Sequence, residues 1–134
     1  MELTFDNAFV PSVEAGEQFS GHVPGRPVDL VHLARYTLGD TSFEREVLGL
    51  FHTQSDIYLK RLETAEHDQA WQDAAHTIRA SARDIGAWRV AKSAQDAEAL
   101  CGTTLAVSRN AALEALQHHV GEVNSYIKSL LADD

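Results

Sequence analysis

The sequence predicts an all-α fold, an antiparallel four-helix bundle with a short extra helix and an irregular arm on its N-terminal side. Proline is absent after Pro27, and the residues that follow are rich in Ala, Leu, Glu, Gln and Arg, which favour helices. The same stretch lacks the alternating β-branched and aromatic runs that are typical of strands. The chain has 134 residues, 44% of them hydrophobic, which is the size and composition of one folded domain.

Start and stop signals, together with apolar periodicity, delimit five helices. We predict them at residues 29–38, 41–65, 68–86, 89–102 and 108–132. Gly39 marks the end of the first helix, because glycine commonly terminates helices. Asp40, Thr41 and Ser42 stand where the cap of the second helix belongs. Long helices with short connections favour antiparallel packing.

Apolar residues recur at steps of three and four in the second and fifth helices, which predicts their buried faces. In the second helix the predicted face consists of Phe43, Val47, Leu50, Phe51, Ile57 or Tyr58, and Leu62. In the fifth helix it consists of Leu113, Leu116, Val120, Val123, Ile127, Leu130 and Leu131. A bundle of such helices buries these faces in one core.

Residues 1–27 differ from the rest of the chain. They hold all three prolines and show no helical period of useful length. We therefore predict an irregular arm at 1–27 and a helical-bundle domain at 28–134.

Charge and composition exclude several classes of function. The chain has 11 Lys and Arg against 20 Asp and Glu, a net charge of −9, so it is not expected to coat nucleic acid or an anionic membrane. A single cysteine, Cys101, excludes an internal disulfide framework and suits a reducing compartment. No secretory signal and no membrane-spanning run is recognisable. We expect a cytoplasmic protein, and a monomer by default.

The third predicted helix carries an exposed histidine between two arginines. At about 100° per residue, its apolar residues fall opposite His76; they are Trp71, Ala74, Ile78, Ala82 and Ile85. The residues in the same sector as His76 are Gln69, Gln72, Arg79, Ala80, Arg83 and Ala87. We therefore expect His76 to face solvent with the two arginines beside it.

This arrangement suits phosphoryl chemistry. A neutral, exposed imidazole is a nucleophile, and guanidinium groups one and two turns on could hold the oxygens of a phosphoryl group. The small side chain of Ala80 leaves room for another protein to approach the ring. A surface histidine is, however, most often simply solvated, so the pattern alone leaves both interpretations open.

The run Ala75-His76-Thr77-Ile78-Arg79-Ala80-Ser81-Ala82-Arg83-Asp84-Ile85-Gly86-Ala87 resembles the signature of histidine-containing phosphotransfer (HPt) domains. The resemblance extends over about residues 28–130. Arg79 stands where the family usually has Lys, and Ala80 where it usually has Gly.

The resemblance implies a carrier in a two-component phosphorelay. His76 would take a phosphoryl group on Nε2 from the phospho-aspartate of a receiver domain and pass it to another receiver. Arg79 and Arg83 would stabilise the phosphoryl charge, and Gln72, Ala80 and Ala87 would belong to the docking face. The partners would be a response-regulator receiver, a hybrid sensor histidine kinase, or both.

The resemblance also implies that the protein needs no cofactor of its own, because Mg²⁺ would sit in the acidic pocket of the receiver. The sequence has no glycine-rich phosphate loop, so we expect no ATP-dependent kinase activity. On the second helix, the partner would contact whichever of Val47, Leu48, Phe51 and Ile57 turns outward. A single sequence does not decide among these four residues.

Two alternatives belong to other classes. The bundle could bind and regulate a receiver or kinase without being phosphorylated. A metal enzyme is disfavoured, because the paired Glu-x-x-His motifs of di-iron bundles are missing. His118 and His119 are adjacent, so they point about 100° apart on a helix and are not expected to chelate one ion.

Overall fold

The computed structural model describes residues 26–100 and 106–132, and it contains no strand within those ranges. Its five helices are α1 (Leu30–Tyr36), α2 (Thr41–Glu63), α3 (Asp68–Ile85), α4 (Trp88–Glu98) and α5 (Ala106–Ala132). The prediction of an all-α protein is confirmed. The predicted arm at 1–27 lies outside the described residues except for its last two positions.

Side-chain caps begin three of the helices. Asp29 accepts a hydrogen bond from the backbone N–H of His32 at 3.1 Å. Asp40 accepts one from Phe43 at 3.0 Å, and the ring of His67 accepts one from Ala70 at 3.2 Å. Each cap satisfies a backbone donor that has no partner within its helix, which fixes where α1, α2 and α3 begin.

The four long helices enclose one core. Contacts pair α2 with α3, α3 with α4, α4 with α5 and α2 with α5, while α1 packs against α3. The apolar face predicted for α3 is confirmed: Trp71, Ala74, Ile78, Ala82 and Ile85 are all buried. Within the part of the chain that the structure describes, each helix is too short or too polar to cross a lipid bilayer.

The face predicted for α2 is partly wrong. Phe43, Leu50 and Ile57 are 41%, 50% and 46% exposed, whereas Leu48, outside the predicted set, is buried. The three exposed residues are seven positions apart, so they form one line along the helix, which we call the outer stripe. Apolar residues on two sides of α2 made its periodicity ambiguous.

Gly86 joins α3 to α4 in a conformation that favours glycine. Its φ is 77°, in the left-handed region, and the next amide, that of Ala87, donates to Ala82 O at 2.8 Å. Its carbonyl accepts from the Asp29 amide at 3.0 Å. A Cβ added at Gly86 would lie 2.8 Å from the Cβ of Asp29. The turn thus anchors the start of α1 on the end of α3.

Replacing Gly86 with alanine is expected to lower the free energy of unfolding by about 2 kcal/mol, because a positive φ strains an L-residue and the methyl group collides with Asp29. Urea unfolding measures the change. Gly121→Ala is the matched control, since Gly121 lies inside α5 with nothing within 4 Å of an added Cβ. The free energy of unfolding of this control should rise by up to about 1 kcal/mol, because alanine favours a helix interior more than glycine does. An unchanged midpoint for Gly86→Ala would contradict the anchoring role.

Candidate functional site

His76 lies in the middle of α3, on the side away from the core. Its side chain is 59% exposed, while its neighbour Ala75 is fully buried and Ile78 is 2% exposed. The orientation predicted for His76 is therefore confirmed. Burial of one face of α3 fixes the direction in which the imidazole points.

Arg79 and Glu98 contact the imidazole and each other, and we call these three residues the His76 cluster. The Nδ1 atom of His76 lies 3.2 Å from Oε2 of Glu98 and 3.0 Å from Nη2 of Arg79. Arg79 Nε is 2.9 Å from Oε1 of Glu98, in an ion pair rather than an aligned hydrogen bond. Both contacts to the ring are made by Nδ1, so Nε2, on the far side of the ring, is directed away from the cluster.

The partners of His76 are more enclosed than His76 itself. The side chains of Arg79 and Glu98 are 25% and 26% exposed. Water screens a half-enclosed ion pair less than one on an open surface. The cluster therefore holds its charges in place beside an imidazole ring that is itself mostly open to solvent.

Glu98 is the member of the His76 cluster that the sequence analysis did not predict as a site residue. It is the last residue of α4, 22 positions after His76. Small residues, among them Ala94 and Ala97, are fully buried on α4, which lets α4 approach α3 closely, and the indole of Trp71 donates to Ala97 O at 2.7 Å. In the sequence, the available signal for Glu98 was a carboxylate at the end of a run of spaced alanines. Only the packing of α4 on α3 shows that this carboxylate meets His76.

The other predicted site residues lie at different depths. Ala80 and Arg83 are exposed on the turns of α3 that follow His76, and Gln72 is half-buried one turn before it. The prediction that Ala87 faces outward is wrong, because Ala87 is fully buried. The helical wheel does not apply at this position: α3 ends at Ile85, and the left-handed turn at Gly86 redirects the chain into the core.

The turn of α3 that carries Ala80 and Arg83 also meets α1 through Asp84. Partial burial raises the pKa of the Asp84 carboxyl above its usual range. The negative charge of Asp84 in turn raises the pKa of the Tyr36 hydroxyl that bonds to it. Tyr36 also stacks on Phe43, with ring centroids 6.2 Å apart. These contacts make Tyr36 a continuation of the outer stripe onto α1.

The outer stripe lies on the side of α2 that is turned away from α5. Arg45 and Ser55, the α2 residues that bond to Leu131 and Asn124 of α5, lie about 140° around the helix from Leu50. At its start the stripe is linked to α3, because Phe43 stacks on Tyr36 and Tyr36 bonds to Asp84 of α3.

Of the four candidates that the sequence left open on α2, Ile57 turns outward. Leu48 and Phe51 are buried, and Val47 is half-buried against the core. The exposed apolar surface of α2 is thus Phe43, Leu50 and Ile57.

Comparison with known families gives one match. A family model described as the Hpt domain matches residues 46–133, which is more than half of the chain and includes the whole His76 cluster. No curated protein and no solved structure matches the chain.

Proposed function

This chain belongs to the Hpt domain family, and we propose that it relays phosphoryl groups through Nε2 of His76. Membership implies histidine phosphotransfer in two-component signalling, in which Hpt domains interact with receiver domains and kinases. In the proposal, His76 accepts the group from a receiver phospho-aspartate and passes it to another receiver. The family match does not favour the alternative of a docking module that is never phosphorylated.

The contact between Glu98 and Nδ1 of His76 carries the proposal. An ionised carboxylate can only accept a hydrogen bond, so at 3.2 Å it favours the tautomer with the proton on Nδ1. In a neutral ring, Nε2 then holds the free electron pair. Nε2 is also the solvent-facing atom of the ring, which an incoming phosphoryl group reaches first.

Arg79 favours the opposite tautomer of His76, and Glu98 counteracts this effect. A guanidinium can only donate, so donation by Arg79 Nη2 to Nδ1, 3.0 Å away, would place the ring proton on Nε2 and remove the nucleophile. Glu98 accepts a hydrogen bond from the Nδ1 proton, which keeps that proton on Nδ1, and it also pairs with Arg79 Nε at 2.9 Å. Once Nδ1 carries the proton, the Arg79 Nη donors are available to the phosphoryl oxygens.

Transfer of the phosphoryl group to His76 forms one bond and breaks one. The Nε2 electron pair forms the new P–N bond while the P–O bond to the receiver aspartate breaks, and the aspartate leaves as a carboxylate. The ring keeps its Nδ1 proton and gains positive charge, which Glu98 offsets at 3.2 Å. Arg79 and Arg83 stabilise the oxygens of the group in transfer. In this proposal Mg²⁺ belongs to the acidic pocket of the receiver.

We assign receiver docking to the outer stripe together with Ala80 and Gln72. The stripe offers exposed apolar side chains, and its first residue, Phe43, is linked to α3 through Tyr36 and Asp84. Ala80 adds a small exposed residue one turn from His76. Burial of such a patch, with charged groups near its edge, is how a specific protein interface gains affinity. Residues Gln72 and Ala80 lie on either side of His76 along α3, so a receiver centred on the histidine would cover both.

The proposal takes α2 to α5 as an antiparallel bundle in a cytoplasmic monomer. Arg45, near the start of α2, donates to Leu131 O at the end of α5 at 3.0 Å. Arg89, at the start of α4, pairs with Glu122, far along α5, at 3.5 Å. Neighbouring helices that meet start to end in this way run in opposite directions.

Replacing Glu98 with alanine is expected to slow phosphoryl transfer by about 10- to 100-fold without unfolding the protein, because a partner that orients an imidazole contributes on that order. Single-turnover transfer from a phosphorylated receiver measures the rate. The ¹⁵N shifts of the His76 ring should show the proton moving from Nδ1 towards Nε2, a change that a merely structural role would not produce.

Asp96→Ala is the charge-matched control for Glu98→Ala. Asp96 is also on α4, is exposed, and contacts Lys92 at 2.8 Å. We expect it to transfer at the wild-type rate. Equal losses in the two variants would show that the acidity of α4, and not the contact with His76, is what matters.

The proposed function is tested by incubating the protein with a panel of receiver domains carrying labelled phospho-aspartate. We expect label to move to the chain in an acid-labile form that a second receiver removes. Binding of several receivers without any transfer of label would contradict the proposal and support the docking module instead.

A further inference from the structure

A second group of polar side chains lies on α5, apart from the His76 cluster. His118 Nε2 is 3.7 Å from Oε2 of Glu122, and His119 Nδ1 is 3.4 Å from Oε1 of the same carboxylate. One ligand atom from each of the three residues lies within 4.8 Å of the other two. Because α5 packs on α2 and α4, this group is independent of the helix that carries His76.

The geometry differs from the expectation that adjacent histidines cannot share an ion. The two rings meet edge to face with their centroids 5.4 Å apart, and Glu122 lies one turn on and reaches both rings, each through a different oxygen. Residues three and four apart are neighbours on a helix surface. The carboxylate of Glu122 thus brings three potential ligands together. The angle between two adjacent histidines on a helix does not predict this arrangement.

The distances fit a tetrahedral cation. With metal–ligand bonds of about 2.0 to 2.1 Å, neighbouring ligand atoms in such a site are about 3.4 Å apart. The pairs formed by Glu122 with His119 and His118, at 3.4 and 3.7 Å, already approach this value. The His118 side chain is 69% exposed, so its ring is free to rotate and shorten the remaining separation.

The geometry points to a binding site for one Zn²⁺ ion formed by His118, His119 and Glu122, with water completing the coordination. Two imidazole nitrogens and a carboxylate are ligands that suit Zn²⁺ better than Mg²⁺ or Ca²⁺, which prefer oxygen ligands. Three protein ligands with a solvent position leave the ion open on one side. The site goes beyond the proposed phosphotransfer function and does not depend on it.

Arg89 competes with the cation for Glu122. Its Nη1 atom is 3.5 Å from Oε1 of Glu122, so its positive charge occupies one side of the carboxylate. Arg89 lies in the first turn of α4, where the helix dipole disfavours a cation, and its side chain is 41% exposed, so it can swing away. Removal of Arg89 should therefore strengthen Zn²⁺ binding, whereas removal of a ligand should weaken it.

Titration calorimetry of the tag-free 134-residue chain with ZnCl₂ tests the site. We expect one ion per chain, with the association constant lowered about tenfold or more by His118→Ala, His119→Ala and Glu122→Gln. Arg89→Gln should raise it severalfold. Circular dichroism checks that each variant is folded, and amide NMR shifts on addition of Zn²⁺ should centre on residues 118–122.

Two matched controls isolate the site. Glu114→Gln makes the same charge change as Glu122→Gln one turn before His118, and His52→Ala removes a histidine from α2; both should bind like the wild type. His76→Gln should also bind Zn²⁺ normally, which separates this result from the test of phosphotransfer. Absence of stoichiometric binding, or binding that survives Glu122→Gln, would overturn the proposal.

Discussion

Replacement of His76 with glutamine is expected to abolish transfer of phosphoryl groups from receivers while leaving the free energy of unfolding within about 0.5 kcal/mol of the wild type. Glutamine keeps a polar side chain at a position that is 59% exposed, but its amide has no nitrogen electron pair comparable to that of imidazole. The fold does not depend on the ring, because His76 points away from the core.

Two measurements separate these effects. Labelled transfer from receivers should fall to background in His76→Gln, while urea unfolding should give an unchanged midpoint. His52→Gln, a change to a histidine on neighbouring α2, is the control and should keep transfer activity. Persistent acid-labile label on His76→Gln would show that another residue accepts the group.

Ile78→Asp is expected to unfold the domain, although Ile78 is only two residues from His76. Ile78 is 2% exposed, so aspartate would remove a large apolar side chain from the core and bury a carboxyl group there. These effects together cost about 4 kcal/mol or more, a large part of the 5 to 15 kcal/mol that is typical of a small domain.

Far-UV circular dichroism and urea unfolding test this prediction. Ala80→Asp is the matched control, because it introduces the same charge on the exposed face of the same helix. We expect Ala80→Asp to fold like the wild type and to reduce receiver docking. A cooperative transition of Ile78→Asp close to that of the wild type would contradict the burial of this face of α3.

The sequence alone was sufficient to predict on which side of α3 His76 lies. Apolar residues occupy one sector of that helix and polar residues the opposite one, so periodicity alone separates the buried Ile78 and Ala82 from the exposed His76 and Ala80. Helix caps at Asp29 and Asp40 could be predicted for a similar reason, because each cap bonds to a residue only three positions further along the chain.

Features that depend on packing could not be predicted in this way. Leu50 and Leu48 are equally apolar, and only the orientation of α2 against its neighbours decides that Leu48 is buried. Ala87 is buried although the helical wheel places it in the exposed sector, because the helix ends and the chain turns at Gly86. Glu98 meets His76 across 22 residues of sequence, and no local pattern encodes that contact.

In the proposed mechanism, Glu98 keeps the ring proton on Nδ1 so that Nε2 of His76 receives the phosphoryl group. The most direct test is long-range ¹H–¹⁵N and ³¹P NMR of the chain, ¹⁵N-labelled in histidine and phosphorylated by a receiver. We predict one phosphohistidine, at His76, with phosphorus bonded to Nε2 and the proton on Nδ1. Phosphorus on Nδ1, or on any other residue, would contradict the account.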